Sequence, residues 1–194
     1  MRFLVLIFLT CAFWACKENS TPKVLIETEL GNITVEVDVE NAPITGNNFL
    51  TYADSGKYDG LALFYRTVTL GNQPESMIKI EVIQAGFFED SLIEKYQFAP
   101  IIHETTSQSG ILHKNGTISM ARAEVGTASS EFFICIGEQP ELDYGGKRNP
   151  DGQGFAAFGK VVEGMDVVKK IHALPNSEQY IDNPVKIKRV SRVF

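Results

Sequence analysis

The sequence contains little cysteine, histidine or tryptophan, and each shortage excludes a class of site. Three of the 194 residues are Cys, three are His and one is Trp. Two of the cysteines lie at the N-terminus, so Cys135 has no partner for a disulfide framework, and we expect it to be a small packed side chain. The histidines, His103, His113 and His172, lack metal-ligand spacing and are expected to be surface or capping residues. We therefore expect no disulfide, metal or cofactor.

Positive charge is also scarce. The chain has 18 Lys and Arg against 24 Asp and Glu, a formal net charge of −6 at pH 7. Arg2 is the only charged residue among positions 1–15, so without that segment 17 basic residues face 24 acidic ones, a net charge of −7. An acidic domain argues against nucleic acid as a partner. The phosphate-binding pattern GxxxxGK[ST] is absent as well.

Long apolar runs are absent except at the N-terminus. The run Phe3–Trp14 carries no charge and is interrupted only by Thr10 and Cys11. About a dozen residues is short for a membrane span but suits the core of a signal peptide. We predict a signal peptide over residues 1–15, a polar tether over 16–22 and one domain over 23–194.

The junction after this run resembles a bacterial lipoprotein signal. Ala15–Cys16 is followed at once by the polar residues Lys17–Ser20. The resemblance implies that Cys16 is lipidated and becomes the first mature residue, which would hold a soluble domain at a membrane surface through acyl chains. The alternatives are a secretory peptide cut nearby and an uncleaved anchor.

The rest of the chain reads as many short strands with two main helices. Alternation of apolar and polar residues, together with turn residues, predicts the strands, and a 3.6-residue period predicts the helices. Predicted strands are Val24–Glu29, Ile33–Asp38, Leu61–Arg66, Thr117–Ala121, Phe132–Ile136, Phe155–Val162 and a final strand from Val185; predicted helices are Pro43–Gly56, Gly164–Leu174 and a short Asp90–Gln97. The segments 100–110 and 140–154 are expected to be mostly loop. This pattern favours a single mainly β domain built as an antiparallel barrel.

The strand near residue 133 combines features of a core and of a groove. Alternate residues of a strand point to opposite sides, so Glu131, Phe133 and Cys135 share one face. Phe132 and Ile134 lie on the other. The second set is typical of core, whereas a carboxylate beside an aromatic ring suits the wall of a groove.

Five segments of the sequence resemble the cyclophilin family of peptidyl-prolyl cis-trans isomerases. They are FYR at 64–66, IQAGFF at 83–88, SMARA at 119–123, SSEFFICIG at 129–137 and FAAFGKVVEGMDVVKKI at 155–171. They occur in the family's order, and the resemblance runs from about Val24 to Val193. It implies a closed eight-stranded antiparallel β-barrel with a helix covering each end.

The resemblance also implies a catalytic pair and a substrate groove. Arg66 is expected to contact the prolyl amide, and Gln84 to orient the arginine or the substrate backbone. The residues expected to bind substrate are Val82, Ala121, Arg122, Glu131, Phe133, Leu142 and Phe155, with the main chain at Ala121 and Arg122 pairing with the bound peptide. The alternatives are that Arg66 is a surface arginine paired with an acid, and that the apolar members are ordinary barrel core.

Three features depart from the family. Glu131 stands where relatives usually have glutamine, and would either compete with substrate for Arg66 or hold its guanidinium in place. Glu141 replaces an aromatic residue found in many relatives. The usual Pro-Gly-Phe link is missing, and the longer segment Thr67–Ile80 replaces it; we favour a hairpin extension around residues 71–72 over a flap. Met77, Ile78 or Ile80 would then replace the lost phenylalanine.

These observations predict a monomeric prolyl isomerase of the bacterial cell envelope that acts on proline-containing segments of exported proteins, with a lipid anchor as its only membrane contact. The alternative is a proline-binding module or chaperone on the same scaffold with little turnover. A sugar- or ligand-binding barrel is a third possibility.

Overall fold

The computed structural model describes residues 21–193. The predicted signal peptide, the predicted lipidation site Cys16 and most of the predicted tether lie outside the described residues. No helix within 21–193 is long and apolar enough to cross a membrane.

The strands form one closed antiparallel barrel. In chain order the strands of the described region are β1 (Lys23–Thr28), β2 (Gly31–Val37), β3 (Leu63–Val68), β4 (Val82–Gly86), β5 (Thr117–Met120), β6 (Phe132–Cys135), β7 (Ala156–Glu163), β8 (Asn176–Ser177) and β9 (Tyr180–Val193). The sheet order is β1-β2-β7-β5-β6-β4-β3-β9, and β1 also pairs with β9, which closes the ring. The two-residue β8 only extends the edge at β9. The predicted eight-stranded barrel is confirmed.

Alternating burial explains why β1 and β2 pair as they do. Val24, Ile26, Ile33 and Val35 are fully buried, while their neighbours face outward. The predicted hairpin is confirmed, but its turn is Glu29–Leu30 rather than the expected 30–32. Because the turn has only two residues, the first strand ends one residue earlier than predicted, at Thr28, and the second begins two residues earlier, at Gly31.

Two main helices and two short ones pack on the barrel. They are α1 (Pro43–Asp54), α2 (Asp90–Tyr96), α3 (Thr106–Ser109) and α4 (Met165–His172). The Glu104 carboxylate accepts hydrogen bonds from the N–H groups of Ile44 and Thr45 at 3.1 and 2.6 Å, which satisfies otherwise unpaired donors at the start of α1. The three longer helices match the prediction, whereas α3 lies in a segment expected to be mostly loop.

The alternating faces of β6 belong to two separate apolar clusters. Phe132 lies in the barrel interior, with its ring centroid 5.3 Å from Phe49, 5.7 Å from Tyr58 and 6.0 Å from Phe64. Phe133 lies in a smaller cluster on the other face. Members of that cluster are Val68, Ile80, Val82, Phe133, Cys135 and Leu142, with Ala121 and Phe155 packed against it. The division between core and groove predicted for this strand is therefore confirmed.

The loop between β3 and β4, residues 69–81, is irregular, so the predicted hairpin extension is wrong. Ladder pairing ends at Val68 opposite Val82. Beyond it, Asn72 Oδ1 accepts from the Thr69 N–H at 2.8 Å, and Gln73 Nε2 donates to the carbonyls of Thr69 and Ile80 at 2.8 and 2.7 Å. Side-chain amides thus replace the ladder bonds that a longer hairpin would need.

Candidate active site

An open groove of about 530 Å³ lies over the smaller apolar cluster. Phe133, 4 % exposed, forms its floor, and Val82, Leu142 and Phe155 line its walls. Gln84 and Arg66 supply its polar side. The structure therefore brings the expected apolar and polar site residues together around one cavity, and that cavity is not filled by the chain's own side chains.

Of the residues expected to replace the missing phenylalanine, Ile80 lies in the groove wall. Ile80 is 7 % exposed, lines the groove and belongs to the smaller cluster. Met77 points into solvent and is 96 % exposed. The carbonyl of Ile78 accepts a hydrogen bond from Arg148 at 2.6 Å. Of the three candidates, only Ile80 lines the groove.

A buried polar chain supports the floor. The ring of His113 stacks on Phe133 with centroids 5.8 Å apart. His113 Nδ1 lies 2.7 Å from Asp143 Oδ1, and its Nε2 lies 2.9 Å from Ser119 Oγ. This is the residue set of a hydrolytic triad, but Ser119 is fully buried and has no access to a substrate. The expectation of a surface or capping His113 is wrong; it fixes the floor from below.

Two amides hold Arg66. It faces Gln84 directly across the β3–β4 ladder, and its Nη1 donates to Gln84 Oε1 at 3.1 Å. Its Nε and Nη2 donate to Gln179 Oε1 at 3.1 and 2.5 Å. Within residues 21–193 no carboxylate lies within 4.0 Å of its guanidinium, so the alternative of an arginine paired with an acid is wrong for the described region.

The sequence gives no signal for the role of Gln179. Its φ is 76°, in the left-handed region, and that of Glu178 is 51°. This backbone is unusual for residues other than glycine, and it turns the Gln179 amide back toward a strand 113 residues earlier. Gln179 Nε2 also donates to the Asn72 carbonyl at 3.1 Å, which links Arg66 to the 69–81 loop.

Glu131 is held away from Arg66. Its Oε1 accepts from the Phe87 N–H at 2.6 Å and its Oε2 from the Tyr65 hydroxyl at 2.7 Å. A Cβ on Gly86 would come within hard contact of this carboxylate, so only glycine leaves room for it there. Burial raises the pKa of Glu131 to about 7, and the hydrogen bonds from Tyr65 and Phe87 partly offset that rise. Both expected roles for Glu131 at the guanidinium are therefore wrong.

Arg122 contributes its side chain to the groove wall. Its guanidinium forms a two-pronged ion pair with Asp151 at 2.8 and 2.9 Å, and its Nε donates to the Gly154 carbonyl at 2.9 Å. It also lies 5.3 Å from the centre of the Phe155 ring. The Ala121 N–H donates to the Glu131 carbonyl at 2.8 Å, so this donor is not free to pair with a peptide as expected.

Cys135 and His172 are held within the fold. Cys135 is fully buried, and burial raises the pKa of its thiol above the ordinary value, which fits a packed side chain. His172 Nε2 lies 3.0 Å from the Val68 carbonyl. No group of three or more His, Cys, Asp or Glu residues in the described region is arranged to hold a metal ion.

The chain is similar to one family of known proteins along most of its length. The family model described as cyclophilin type peptidyl-prolyl cis-trans isomerase/CLD matches residues 23–192. The peptidyl-prolyl cis-trans isomerase A of Dickeya dadantii is 36% identical over 154 residues, 79% of this chain and 72% of that protein. The peptidyl-prolyl cis-trans isomerase of Acinetobacter baylyi is 36% identical over 168 residues, 84% and 80% of the two chains.

A solved structure supports the fold. The crystal structure of a Cryptosporidium parvum cyclophilin type peptidyl-prolyl cis-trans isomerase, obtained in the presence of the dipeptide Ala-Pro, superposes with a TM-score of 0.68. The match covers 87% of this chain and 97% of that one at 21% identity. At 21% identity this match supports the barrel architecture alone.

Proposed function

The chain belongs to the cyclophilin-type peptidyl-prolyl cis-trans isomerase family, and we propose that it accelerates rotation about X-Pro bonds in exported or envelope proteins, with Arg66 stabilising the twisted amide. The observation that carries this role is the position of Arg66 beside an apolar groove, where no carboxylate of residues 21–193 pairs with it.

The reaction calls for little beyond such a groove. The cis and trans forms of an X-Pro bond differ by about 0.5–1 kcal/mol, yet they interconvert in tens to hundreds of seconds. The barrier of about 18–20 kcal/mol arises from amide resonance. An enzyme lowers it by binding the twisted amide, in which resonance is lost, better than the planar one. No nucleophile takes part in this step.

Arg66 supplies the donor for the twisted state. When resonance is lost, the prolyl nitrogen gains a lone pair that can accept a hydrogen bond, and a guanidinium offers several N–H donors in a fixed fork. Gln84 and Gln179 hold that fork from two sides. Because the orienting groups are neutral amides, the positive charge remains available to the substrate.

The apolar part of the groove holds the proline ring. Phe133 provides the floor, and its ring meets that of Phe155 edge to face at 5.3 Å. Val82, Leu142 and Ile80 add aliphatic walls. Burying the ring in this slot fixes the proline while the residue before it rotates, which is the division of labour that the reaction needs.

The geometry favours turnover over mere binding. A competing carboxylate at Arg66 would have supported the alternative of a proline-binding module, and Glu131 instead bonds Tyr65 and Phe87. The groove is open, and no carboxylate of residues 21–193 neutralises the guanidinium of Arg66, so both are available to a substrate that changes its conformation.

A test compares Arg66→Ala with wild type by exchange NMR on an Ala-Pro peptide. We expect kcat/KM to fall by about 100-fold, the usual cost of removing a donor to a transition state. Arg189→Ala, which removes an exposed cation from β9, serves as the matched control and should be unchanged. Activity of Arg66→Ala within twofold of wild type would rule out this role, and peptide binding without any turnover by wild type would establish the binding module.

Export and lipid anchoring rest on the sequence of residues 1–20. We expect Cys16 to take up labelled palmitate in a bacterial host and the protein to fractionate with membranes. Cys16→Ala should lose the label and appear in the soluble fraction. A label retained by Cys16→Ala, or a wild-type protein that is never labelled, would contradict the anchor.

A further inference from the structure

Arg148 lies where the groove meets a second cavity. It lines both the 530 Å³ groove and an adjoining space of about 900 Å³, whose other walls are the 71–76 part of the 69–81 loop and residues 178–179. Its Nη1 donates to Ser76 Oγ and to the Ile78 carbonyl, both at 2.6 Å. These two bonds fix the guanidinium at the junction through neutral oxygen atoms.

The charge of Arg148 has no anionic partner in the described region. No carboxylate among residues 21–193 lies within 4.0 Å of it. Partial burial lowers its pKa, and the nearby charge of Arg66 lowers it further. Two guanidinium groups that line the same groove without a counter-ion repel each other, and an anion bound beside them would relieve that cost.

The acids around the junction do not neutralise it. Glu75 and Glu178 are exposed and line only the second cavity. Asp151 is bound by Arg122, and Glu131 is held by Tyr65 and the Phe87 N–H. The exposed pair lines the second cavity and would repel a multiply charged ligand there, whereas the groove side of the junction is lined by the guanidinium groups of Arg66 and Arg148.

A second donor lies at the same place. Asn149 lines both cavities, and its buried Nδ2 has no hydrogen-bond partner among residues 21–193. A buried donor without a partner is unfavourable, and an acceptor atom of a ligand at the junction would relieve that cost. A carboxylate has two acceptor oxygens and could bond the Asn149 amide and Arg148 together.

We propose that Arg148 and Asn149 form a subsite for a carboxylate side chain of the polypeptide substrate, close to the proline on the side of the groove that adjoins the second cavity. This assignment rests on the proposed isomerase function, because it places the acidic residue on the same chain as the proline bound over Phe133. The subsite makes the enzyme prefer X-Pro segments that carry a neighbouring Asp or Glu. Arg148 acts as a specificity residue that touches the substrate.

The test uses the full chain and a set of peptides with blocked termini, so that side chains carry the only carboxylates. Each peptide has an Ala-Pro or Pro-Ala core, and Glu or Gln occupies one of four positions: the two before the core or the two after it. Exchange NMR gives kcat/KM without a coupling protease. We expect a Glu-to-Gln ratio of about 10 at one position, which corresponds to about 1.4 kcal/mol. The ratio should decrease as ionic strength rises.

Four variants identify the cause. Arg148→Gln should bring the Glu-to-Gln ratio to about 1, because it removes the cation that binds the Glu carboxylate. Lys147→Gln removes an exposed cation from the same loop, and Ser76→Ala removes one bond to Arg148 without changing charge; both should keep the ratio. Arg148→Lys should keep part of it, because a charge remains without the two-pronged geometry.

The outcomes separate this proposal from the one it rests on. A wild-type ratio near 1 at all four positions, or a ratio that survives in Arg148→Gln, overturns the subsite. A ratio lost equally in Lys147→Gln also overturns it, since the overall charge of the loop and not Arg148 would then set the preference. If wild type fails to isomerise even the Gln peptides, the isomerase function itself is wrong.

Discussion

Burial places the Glu131 carboxyl where its charged form is disfavoured. In the unfolded chain it loses its proton near the ordinary pKa of 4.5, whereas in the folded chain it keeps the proton until about pH 7. Between these values the folded state binds the extra proton. Its contribution therefore makes the free energy of unfolding decrease as pH rises from 4.5 to 7, by an amount on the order of 3 kcal/mol, and above pH 7 that penalty stays constant.

Glu131→Gln should remove this dependence, because glutamine has nearly the same shape and no charge. We expect the variant to be more stable than wild type at pH 8 and to differ little from it at pH 4.5. Urea unfolding of both proteins at pH 4.5, 6, 7 and 8 measures the difference, in which the titration of other groups cancels. Parallel stability curves across this range would show that Glu131 titrates normally.

Single residues were predictable where one strand decided their environment. The alternation that places Phe132 in the core and Phe133 at the groove follows from strand geometry alone. Gln179 could not be found in the same way, because its role depends on a left-handed backbone and on a partner far away in the chain. His113 was misassigned since its partners, Asp143 and Ser119, meet it only in the folded barrel.

At the scale of elements, one side chain organises the 69–81 loop. Gln73 is 2 % exposed and bonds the carbonyls of Thr69 and Ile80. Its amide oxygen also accepts from the Ile80 N–H at 3.3 Å. The apolar wall that Ile80 gives to the groove therefore depends on an amide seven residues earlier.

Gln73→Ala should release that wall. Leaving buried carbonyl groups without donors costs about 1–3 kcal/mol, and we expect faster proteolysis within 69–81 together with a raised KM for X-Pro peptides. Limited proteolysis and peptide kinetics measure the two effects. Met77→Ala, on the same loop but 96 % exposed, should behave as wild type. Unchanged kinetics in Gln73→Ala would mean that Ile80 is held by packing alone.

Elements with a strong internal pattern were predicted well, and irregular ones were not. The β1–β2 hairpin and helices α1, α2 and α4 follow from alternation, turn residues and apolar period. The 69–81 loop has glycine and asparagine at residues 71–72, which is typical of a hairpin turn. The side-chain amides of Asn72 and Gln73 instead form hydrogen bonds with nearby backbone groups. A pattern of polar and apolar residues does not predict whether side-chain amides or a neighbouring strand will bond the backbone.

At the scale of the whole molecule, the aromatic cluster around Phe132 holds the barrel together. Its ring contacts Phe49, Tyr58 and Phe64 from α1, the following loop and β3. Phe132→Ala should lower the free energy of unfolding by about 3–5 kcal/mol, measured by urea unfolding. Phe88→Ala, whose ring is 46 % exposed, should cost much less. A similar small loss in both would show that the interior relaxes to fill the space.

Barrel closure was predicted by resemblance and not by pattern. Periodicity predicted many short antiparallel strands, whereas the number of strands and the closure of the barrel came from the resemblance to the family. This is because closure joins residues such as Lys23 and Val193, and no local signal records a pairing across the entire domain. The open groove could likewise not be predicted from local pattern, because its walls come from strands that are far apart in the sequence.

The reaction rate of the buried Cys135 thiol measures how often the strands around it separate. In a chain with Cys11 and Cys16 replaced by Ser, a chromogenic thiol reagent can reach it only when neighbouring strands separate. The colour should therefore develop slowly in native buffer and faster in Phe132→Ala, so that one atom reports how often the whole wall opens. Prompt reaction with the native protein would mean that this wall opens locally beside the groove, without global unfolding.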